Sequence, residues 1–196
     1  MLIKYGIKPF LLNTCFQFYC YSNVLKAMST PTLNIAPDAI VVADATLRGK
    51  ITIGPSTIVH PKAVIDAKEG EIILGSHNIV EETAVIENLN GTDYVMRIGD
   101  DNLFEVGSIC HAKSVGNSNV FGIKSIVGSE TEITEGCKIG PACKVLNEKL
   151  EPLTAVYFER NLRRTTTETP ASQRSQCDFL RKLMPKYNMA LQNTKK

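Results

Sequence analysis

Aliphatic side chains recur at every sixth position along most of the chain. A period of six fits neither the 3.6-residue turn of an α-helix nor a long two-residue alternation. It predicts short strands joined by tight corners, three strands to each coil of a solenoid, with the recurring side chain pointing into the core. These core anchors are Ile35, Val41, Leu47, Ile53, Val59, Ile65, Leu74, Val80, Ile86, Ile98, Phe104, Cys110, Val115, Phe121, Val127, Ile133, Ile139 and Val145.

Two further positions of the six-residue repeat follow a pattern. Glycine often comes directly after the anchor, and a small residue usually occupies the fifth position. We expect the glycine to give the backbone freedom at a bend and the small residue to fit beside the corner. Coils would stack about 4.8 Å apart through parallel ladders, each buried by its neighbours. The sequence therefore predicts an all-β solenoid, a parallel β-helix of about six coils.

The interruptions of the repeat all follow the third strand of a coil. Extra residues precede Leu74 and Ile98, and one residue is missing before Val115. Both insertions, around 67–73 and 88–97, should therefore leave the solenoid at the same edge. Such loops are often a contact surface, although a corner also tolerates loops without any function, and both interpretations remain open.

One corner of the predicted prism carries asparagine in three consecutive coils. Asn78, Asn102 and Asn119 each occupy the fifth position of the first strand in their coil. Stacked amides of this kind donate and accept hydrogen bonds along the column. We expect a structural ladder with no chemical role.

The remaining segments lack the six-residue repeat. Residues 1–27 contain no acidic residue, which is typical of a transit peptide, but an upstream extension that precedes a start at Met28 is the simpler interpretation. Near the C-terminus, Cys177, Leu180 and Met184 follow helical spacing, and Pro185 should kink that helix. The predicted division is an N-terminal extension over 1–33, the β-helix over 34–158, a linker over 159–169, an α-helix over 170–191 and a tail over 192–196.

Composition excludes several classes of function. The net charge is +2 with 21% charged residues, so nothing favours a nucleic-acid partner. No apolar stretch approaches the roughly 18–20 residues that span a bilayer. The six cysteines form no C-x-x-C pair, which indicates a reduced, cytosolic protein without structural zinc. Thr169 precedes Pro170 and is a candidate phosphorylation site.

The repeat resembles that of the hexapeptide-repeat proteins, which implies a left-handed β-helix. Some of these proteins are enzymes, and the stretch from Phe104 to His111 is similar to the segment that supplies two zinc ligands in gamma-class carbonic anhydrases. His111 matches one ligand, but Val106 and Glu87 stand at the other two positions, and a catalytic zinc needs three ligands. Asp66, Glu87 and His111 share a column, which we interpret as charged surface rather than a metal or salt-bridge site.

An acyltransferase is the other enzymatic hypothesis, and the sequence does not favour it. The remaining histidines, His60 and His77, lie in turn-like contexts. Cys137 and Cys143 occupy small inward positions, where a buried thiol is inert. We therefore predict no catalytic residue and no cofactor.

The order of motifs is similar to one family, the sixth subunit of dynactin. The matching stretches are Ile35-Ala-Pro-Asp-Ala, Ile51-Thr-Ile-Gly-Pro, Asn102-Leu-Phe-Glu-Val-Gly, Asn161-Leu-Arg-Arg and Asp178-Phe-Leu-Arg-Lys. This resemblance implies a non-enzymatic subunit of the dynactin pointed-end complex, located in the cytoplasm and on the cytoskeleton. It would form a heterodimer with the second hexapeptide-repeat subunit and help dynein engage cargo adaptors on microtubules.

Overall fold

Short parallel strands wind around a prism with three faces in the computed structural model, which describes residues 32–157 and 162–187, with side chains to 184. The first face holds β1 (Thr32–Ile35), the second halves of β3 (Thr46–Ile53) and β5 (Val64–Leu74), β8 (Val95–Ile98), β11 (Ser114–Val115), β14 (Glu132–Ile133) and β17 (Lys149–Leu150). The second face holds β2 (Ile40–Val41), β4 (Ile58–Val59), β6 (Ile79–Val80), β9 (Leu103–Phe104), β12 (Val120–Phe121), β15 (Lys138–Ile139) and β18 (Thr154–Tyr157). The third face holds the first halves of β3 and β5 with β7 (Val85–Glu87), β10 (Ile109–Cys110), β13 (Ile126–Val127) and β16 (Lys144–Val145).

The core runs along the axis of the prism and is built from the anchors. Because side chains alternate between the two sides of a strand, the anchor points inward and the residue before it points outward. Phe104 and Phe121 stack in neighbouring coils with ring centroids 4.4 Å apart. Val80, Ile86 and Val127 are fully buried. The predicted left-handed parallel β-helix is confirmed.

The insertions leave the prism at one edge, between the third and first faces. The pairing of β3 with β5 shifts register between Arg48 and Lys50, which makes room for the first insertion. The second lies between Glu87, paired with Asp66, and Val95, paired with Glu71. Both loops therefore emerge at the corner that the spacing of the repeat predicted.

The tight corners are formed by the fourth position of the repeat and not by the glycine after the anchor. Ser56, Lys62 and Lys124 are examples of corner residues with φ near +60°. The glycines at the second position are needed because the next coil approaches closely. A Cβ on Gly75 would lie 2.8 Å from the carbonyl oxygen of Gly99. The expectation that these glycines supply freedom at a bend is therefore wrong.

The C-terminal part of the solenoid ends within the predicted bounds of 34–158 but holds more strands than six coils provide. The first and second faces each gain a seventh strand, β17 and β18, with Leu150 and Val156 buried as additional anchors. Within the predicted linker, Leu162–Thr165 forms β19, which pairs antiparallel with β18. An unpaired β18 would expose a row of backbone donors and acceptors, and β19 covers that edge.

One α-helix, α1 (Arg174–Tyr187), follows these strands. It begins four residues later than predicted and continues through Pro185, where the sequence indicated a kink. The β-helix begins two residues before its predicted start at residue 34, because β1 begins at Thr32. Residues 1–31, which include Met28, and residues 188–196 lie outside the described part of the chain. Within the described part, no helix is long and apolar enough to cross a membrane.

The apolar side of α1 packs against the outside of the second face. Cys177 and Met184 are buried against Val42, Ile58 and Ile79. A helix of 14 residues is about 21 Å long, enough to cross about four coils. The helix therefore covers the first four coils of this face.

Polar contacts hold both ends of α1. At its N-terminus, Asp101 accepts hydrogen bonds from the Ser172 hydroxyl and the Gln173 backbone N–H, each at 2.7 Å. A carboxylate at this position also interacts favourably with the helix dipole. Towards the other end, the guanidinium of Arg181 lies 3.7 Å from the carboxylate of Asp38.

Candidate functional site

A charged column on the third face occupies the place where the sequence comparison put zinc ligands. Asp66, Glu87 and His111 follow their anchors in consecutive coils, so the stacking of the strands brings their side chains together. Glu87 Oε2 lies 3.2 Å from His111 Nε2. Lys68 Nζ donates hydrogen bonds to Asp66 Oδ2 at 2.9 Å and to Glu87 Oε1 at 3.0 Å.

The ammonium group of Lys68 sits between the two carboxylates. The hydrogen bond to Asp66 raises the pKa of the Lys68 amine, with a further contribution from Glu87. Arg48 lies 3.7 Å from Asp66 on its other side. Each carboxylate thus has a cationic partner from the chain itself, and the column is a network of ion pairs. The prediction of a charged surface without a salt-bridge site is therefore wrong.

Val106 lies at the opposite border of the third face from this network. Its side chain is 38% exposed, and its backbone N–H donates to Glu81 Oε2 at 3.0 Å. An aliphatic side chain offers no donor atom, so Val106, Glu87 and His111 do not form a ligand set. Among the described residues, no group of three or more His, Cys, Asp or Glu side chains is arranged to hold a metal ion.

His60 is the histidine with the closest resemblance to a catalytic base. Its Nδ1 lies 2.9 Å from Glu82 Oε1, which resembles the carboxylate–imidazole pairs of many active sites. Burial would raise the pKa of Glu82, but the hydrogen bond to His60 brings it below its usual value. The other ring nitrogen of His60, Nε2, is buried without a hydrogen-bond partner. A base must reach the proton it removes, and a buried Nε2 does not reach a substrate in this arrangement.

Thiol chemistry is disfavoured at the inward positions. Cys110, Cys137 and Cys143 are buried. Burial raises the pKa of the Cys110 thiol to about 12 and also raises that of Cys143. A buried thiol is not accessible to a substrate, so these side chains act as small core residues.

The asparagines form a column at the corner between the first and second faces. Asn102 Nδ2 and Asn119 Nδ2 each donate at 3.0 Å to the side-chain oxygen of the asparagine in the preceding coil. Each of the three amides also donates to a backbone carbonyl in the next coil, those of Gly99, Gly116 and Thr134.

Two further residues, which were not predicted from the sequence, extend this column. Thr57 Oγ1 donates to the carbonyl of Gly75, and Cys137 Sγ donates to that of Glu151. Both residues occupy the fifth position of the repeat, as the asparagines do. This shared position could have identified them, because a short donor side chain at the fifth position reaches a backbone carbonyl of the next coil.

Two exposed side chains lie outside these clusters. Thr169, the candidate phosphorylation site, is exposed between β19 and α1. Phe179 is 62% exposed on α1, away from the side that packs on the solenoid. Helical spacing assigned Cys177, Leu180 and Met184 to the packed side but gave no role to Phe179.

Comparison with solved structures agrees with the observed fold. The fold is similar to that of a hexapeptide transferase family protein from Anaplasma phagocytophilum, with a TM-score of 0.63 and 18% identity, over 79% of this chain and 88% of that one. At this identity the similarity concerns the fold alone. The six-residue repeat and this fold together define a hexapeptide-repeat β-helix protein. Of the three positions compared with zinc ligands, Glu87 and His111 form an ion pair and Val106 does not.

Comparison with curated proteins identifies the family. The chain is 40% identical to dynactin subunit 6 of Danio rerio, over 83% of this chain and 89% of the relative. It is 41% identical to dynactin subunit 6 of Xenopus tropicalis, over 83% and 86%. A scan against models of protein families gave no match. The chain belongs to the dynactin subunit 6 family, and these relatives support a structural subunit rather than an enzyme.

Proposed function

We propose that this chain is a non-catalytic structural subunit of the dynactin pointed-end complex, supporting dynein-driven, adaptor-dependent transport along microtubules. The observation that carries the proposal is the similarity to dynactin subunit 6 over 83% of the chain. Such an assembly role places the protein in the cytoplasm, on the cytoskeleton. Its closest partner would be the second hexapeptide-repeat subunit, as a heterodimer.

The electrostatics of the third face agree with a role in assembly. A catalytic zinc needs an open coordination position, whereas Lys68 stands between Asp66 and Glu87 as an internal cation. The insertions at the same corner lengthen the surface that a solenoid offers to other proteins. Nucleic acid is not an expected partner for a chain with a net charge of +2.

Affinity capture of the tagged full-length chain from its own cells tests this proposal. We expect the other dynactin subunits in constant proportion to the tagged chain, measured by quantitative mass spectrometry. Removal of the chain should release its pointed-end partners and slow the movement of adaptor-bound cargo. A purified homotrimer that holds zinc and hydrates carbon dioxide would contradict the proposal and favour the enzymatic alternative.

A further inference from the structure

The segment between β19 and α1 is rich in hydroxyl groups. The side chains that carry them, from the end of β19 to the first turn of α1, are those of Thr165, Thr166, Thr167, Thr169, Ser172 and Ser175. All except Thr166 are exposed. Among these exposed hydroxyls, in the part of the chain that the structure describes, that of Ser172 makes a hydrogen bond to the β-helix. Ser172 therefore differs from Thr169, the site that the sequence suggested.

Ser172 is joined to the β-helix through a single carboxylate. Its hydroxyl donates to Asp101 Oδ2 at 2.7 Å, and the backbone N–H of Gln173 donates to Asp101 Oδ1 at the same distance. Asp101 lies 71 residues before Ser172 in the sequence, at a tight corner of the fourth coil with φ of +64°. The carboxylate thus connects the start of α1 to the wall of the solenoid.

Phosphorylation of Ser172 would reverse this contact. A kinase transfers the γ-phosphoryl group of ATP to Ser172 Oγ, so a bond forms between Oγ and the γ-phosphorus. The bond from that phosphorus to the bridging oxygen breaks, ADP leaves, and the hydroxyl proton passes to the base of the kinase. The oxygen then has no proton to donate, and a group with a charge of about −1.5 to −2 lies beside the carboxylate of Asp101.

The surrounding charges determine the direction of the effect. A phosphate at the start of a helix usually stabilises it, because the helix dipole attracts an anion. Here the carboxylate of Asp101 already occupies that place, and Asp100 is a second carboxylate at the same corner, where it accepts a hydrogen bond from the Ser76 N–H. Arg174 is exposed, so water and salt weaken its attraction for a phosphate, whereas Asp101 is half-buried. Repulsion from Asp101 therefore outweighs the favourable contributions.

The docking of α1 is sensitive to such a repulsion because the helix is short. Cys177 and Met184 are buried on the second face, with Leu180 partly buried beside them. An isolated helix of 14 residues is only marginally stable in water, so α1 depends on its contacts with the solenoid. Release of α1 would uncover Ile58 and Ile79, which are completely buried while the helix is docked.

We propose that Ser172 is a phosphorylation site and that its phosphate releases α1 from the second face. The modifying enzyme is an ATP-dependent serine kinase, and the glutamine that follows both Ser172 and Ser175 is the residue that one class of these kinases selects. Gln173 is buried while α1 is docked, so the kinase acts on the open form and keeps it open. This inference goes beyond the proposed function, because it concerns the chain itself, with or without its partners.

The labelling of Cys177 by iodoacetamide tests the effect of the phosphate. The full-length chain is made with phosphoserine at position 172, and peptide mass spectrometry compares its labelling with that of the unmodified chain. We expect Cys177 to react at least about tenfold faster, because its shielding depends on the docked helix. Cys110 lies in the solenoid core and should react at an unchanged rate, which shows that the β-helix stays folded.

Two matched controls separate repulsion from other effects of the phosphate. Phosphoserine at position 175 places the same group on the exposed surface of the first turn of α1 and should not accelerate the labelling of Cys177. Asp101→Asn removes the negative charge and nearly preserves the shape of the side chain. In this variant, phosphoserine at position 172 should change the labelling rate by less than about twofold.

Phosphopeptide analysis of the chain from its own cells should find phosphate on Ser172. Phosphate confined to Thr169 or Ser175, or absent from all three residues, would overturn the inference. Unchanged labelling of Cys177 with phosphoserine at position 172 would also overturn it, as would an acceleration of the same size in Asp101→Asn. The capture of dynactin subunits, which tests the proposed function, is independent of each of these results.

Discussion

Replacement of Asn102 by alanine tests the importance of the asparagine column. Asn102 is completely buried, and its amide contacts both neighbouring coils. Its Nδ2 donates to the carbonyl of Gly116 at 3.0 Å, and its Oδ1 accepts from the backbone N–H of Asn119 at 2.9 Å. The substitution leaves these two backbone groups without their partner and also removes the amide hydrogen bonds to Asn78 and Asn119.

The expected cost follows from these two groups. A buried donor or acceptor without a partner costs about 1–3 kcal/mol, so Asn102→Ala should lower the free energy of unfolding by about 2–6 kcal/mol. Domains are typically stable by about 5–15 kcal/mol, so the upper part of this range approaches loss of the fold.

Urea denaturation followed by far-UV circular dichroism measures the change. Asn117→Ala is a suitable control, because Asn117 lies at the same corner but is exposed, and water can replace its hydrogen bond to the Asp100 N–H. We expect the control to cost less than about 1 kcal/mol. Equal losses for the two variants would refute the structural role of the column.

Three further predictions concern the core and the helix. Val127→Asp should prevent folding, because Val127 is fully buried and the carboxylate would have no partner, and a circular dichroism spectrum without β-structure would show this. Cys177 should react slowly with iodoacetamide, because burial raises its pKa to about 11. Asp101→Ala removes a contact at the N-terminus of the helix and should accelerate labelling at Cys177 but not at Cys110. Peptide mass spectrometry measures the labelling of each cysteine. The hydrogen bond from Ser56 lowers the pKa of Asp38, so its stabilising effect is complete above the unfolded pKa and is lost as pH falls through the folded pKa. The difference in the free energy of unfolding between the wild type and Asp38→Asn should therefore shrink below about pH 4. A difference that stays constant with pH would contradict this assignment.

The repeat made most of the solenoid predictable. An anchor at every sixth position has one packing solution, so the faces, the inward residues and the edge that carries the insertions follow from the sequence. The strand β19 does not follow, since Leu162–Thr165 is exposed on every residue and shows no alternation. Its pairing depends on the open edge of β18, which is a property of the assembled fold.

The candidate site was predictable only in part. The shared repeat position placed Asp66, Glu87 and His111 in one column. It gave no indication of Lys68, because this residue lies in an insertion with no repeat position. Lys68 reaches Asp66 and Glu87 because the chain turns there with φ of +51°.

Native mass spectrometry with metal analysis, on full-length protein purified from its own cells, distinguishes a structural subunit from an enzyme. We expect the chain to be part of a multisubunit assembly with dynactin components and to contain no stoichiometric zinc. A homotrimer with about one zinc ion per chain, as a gamma-class enzyme would have, would contradict it.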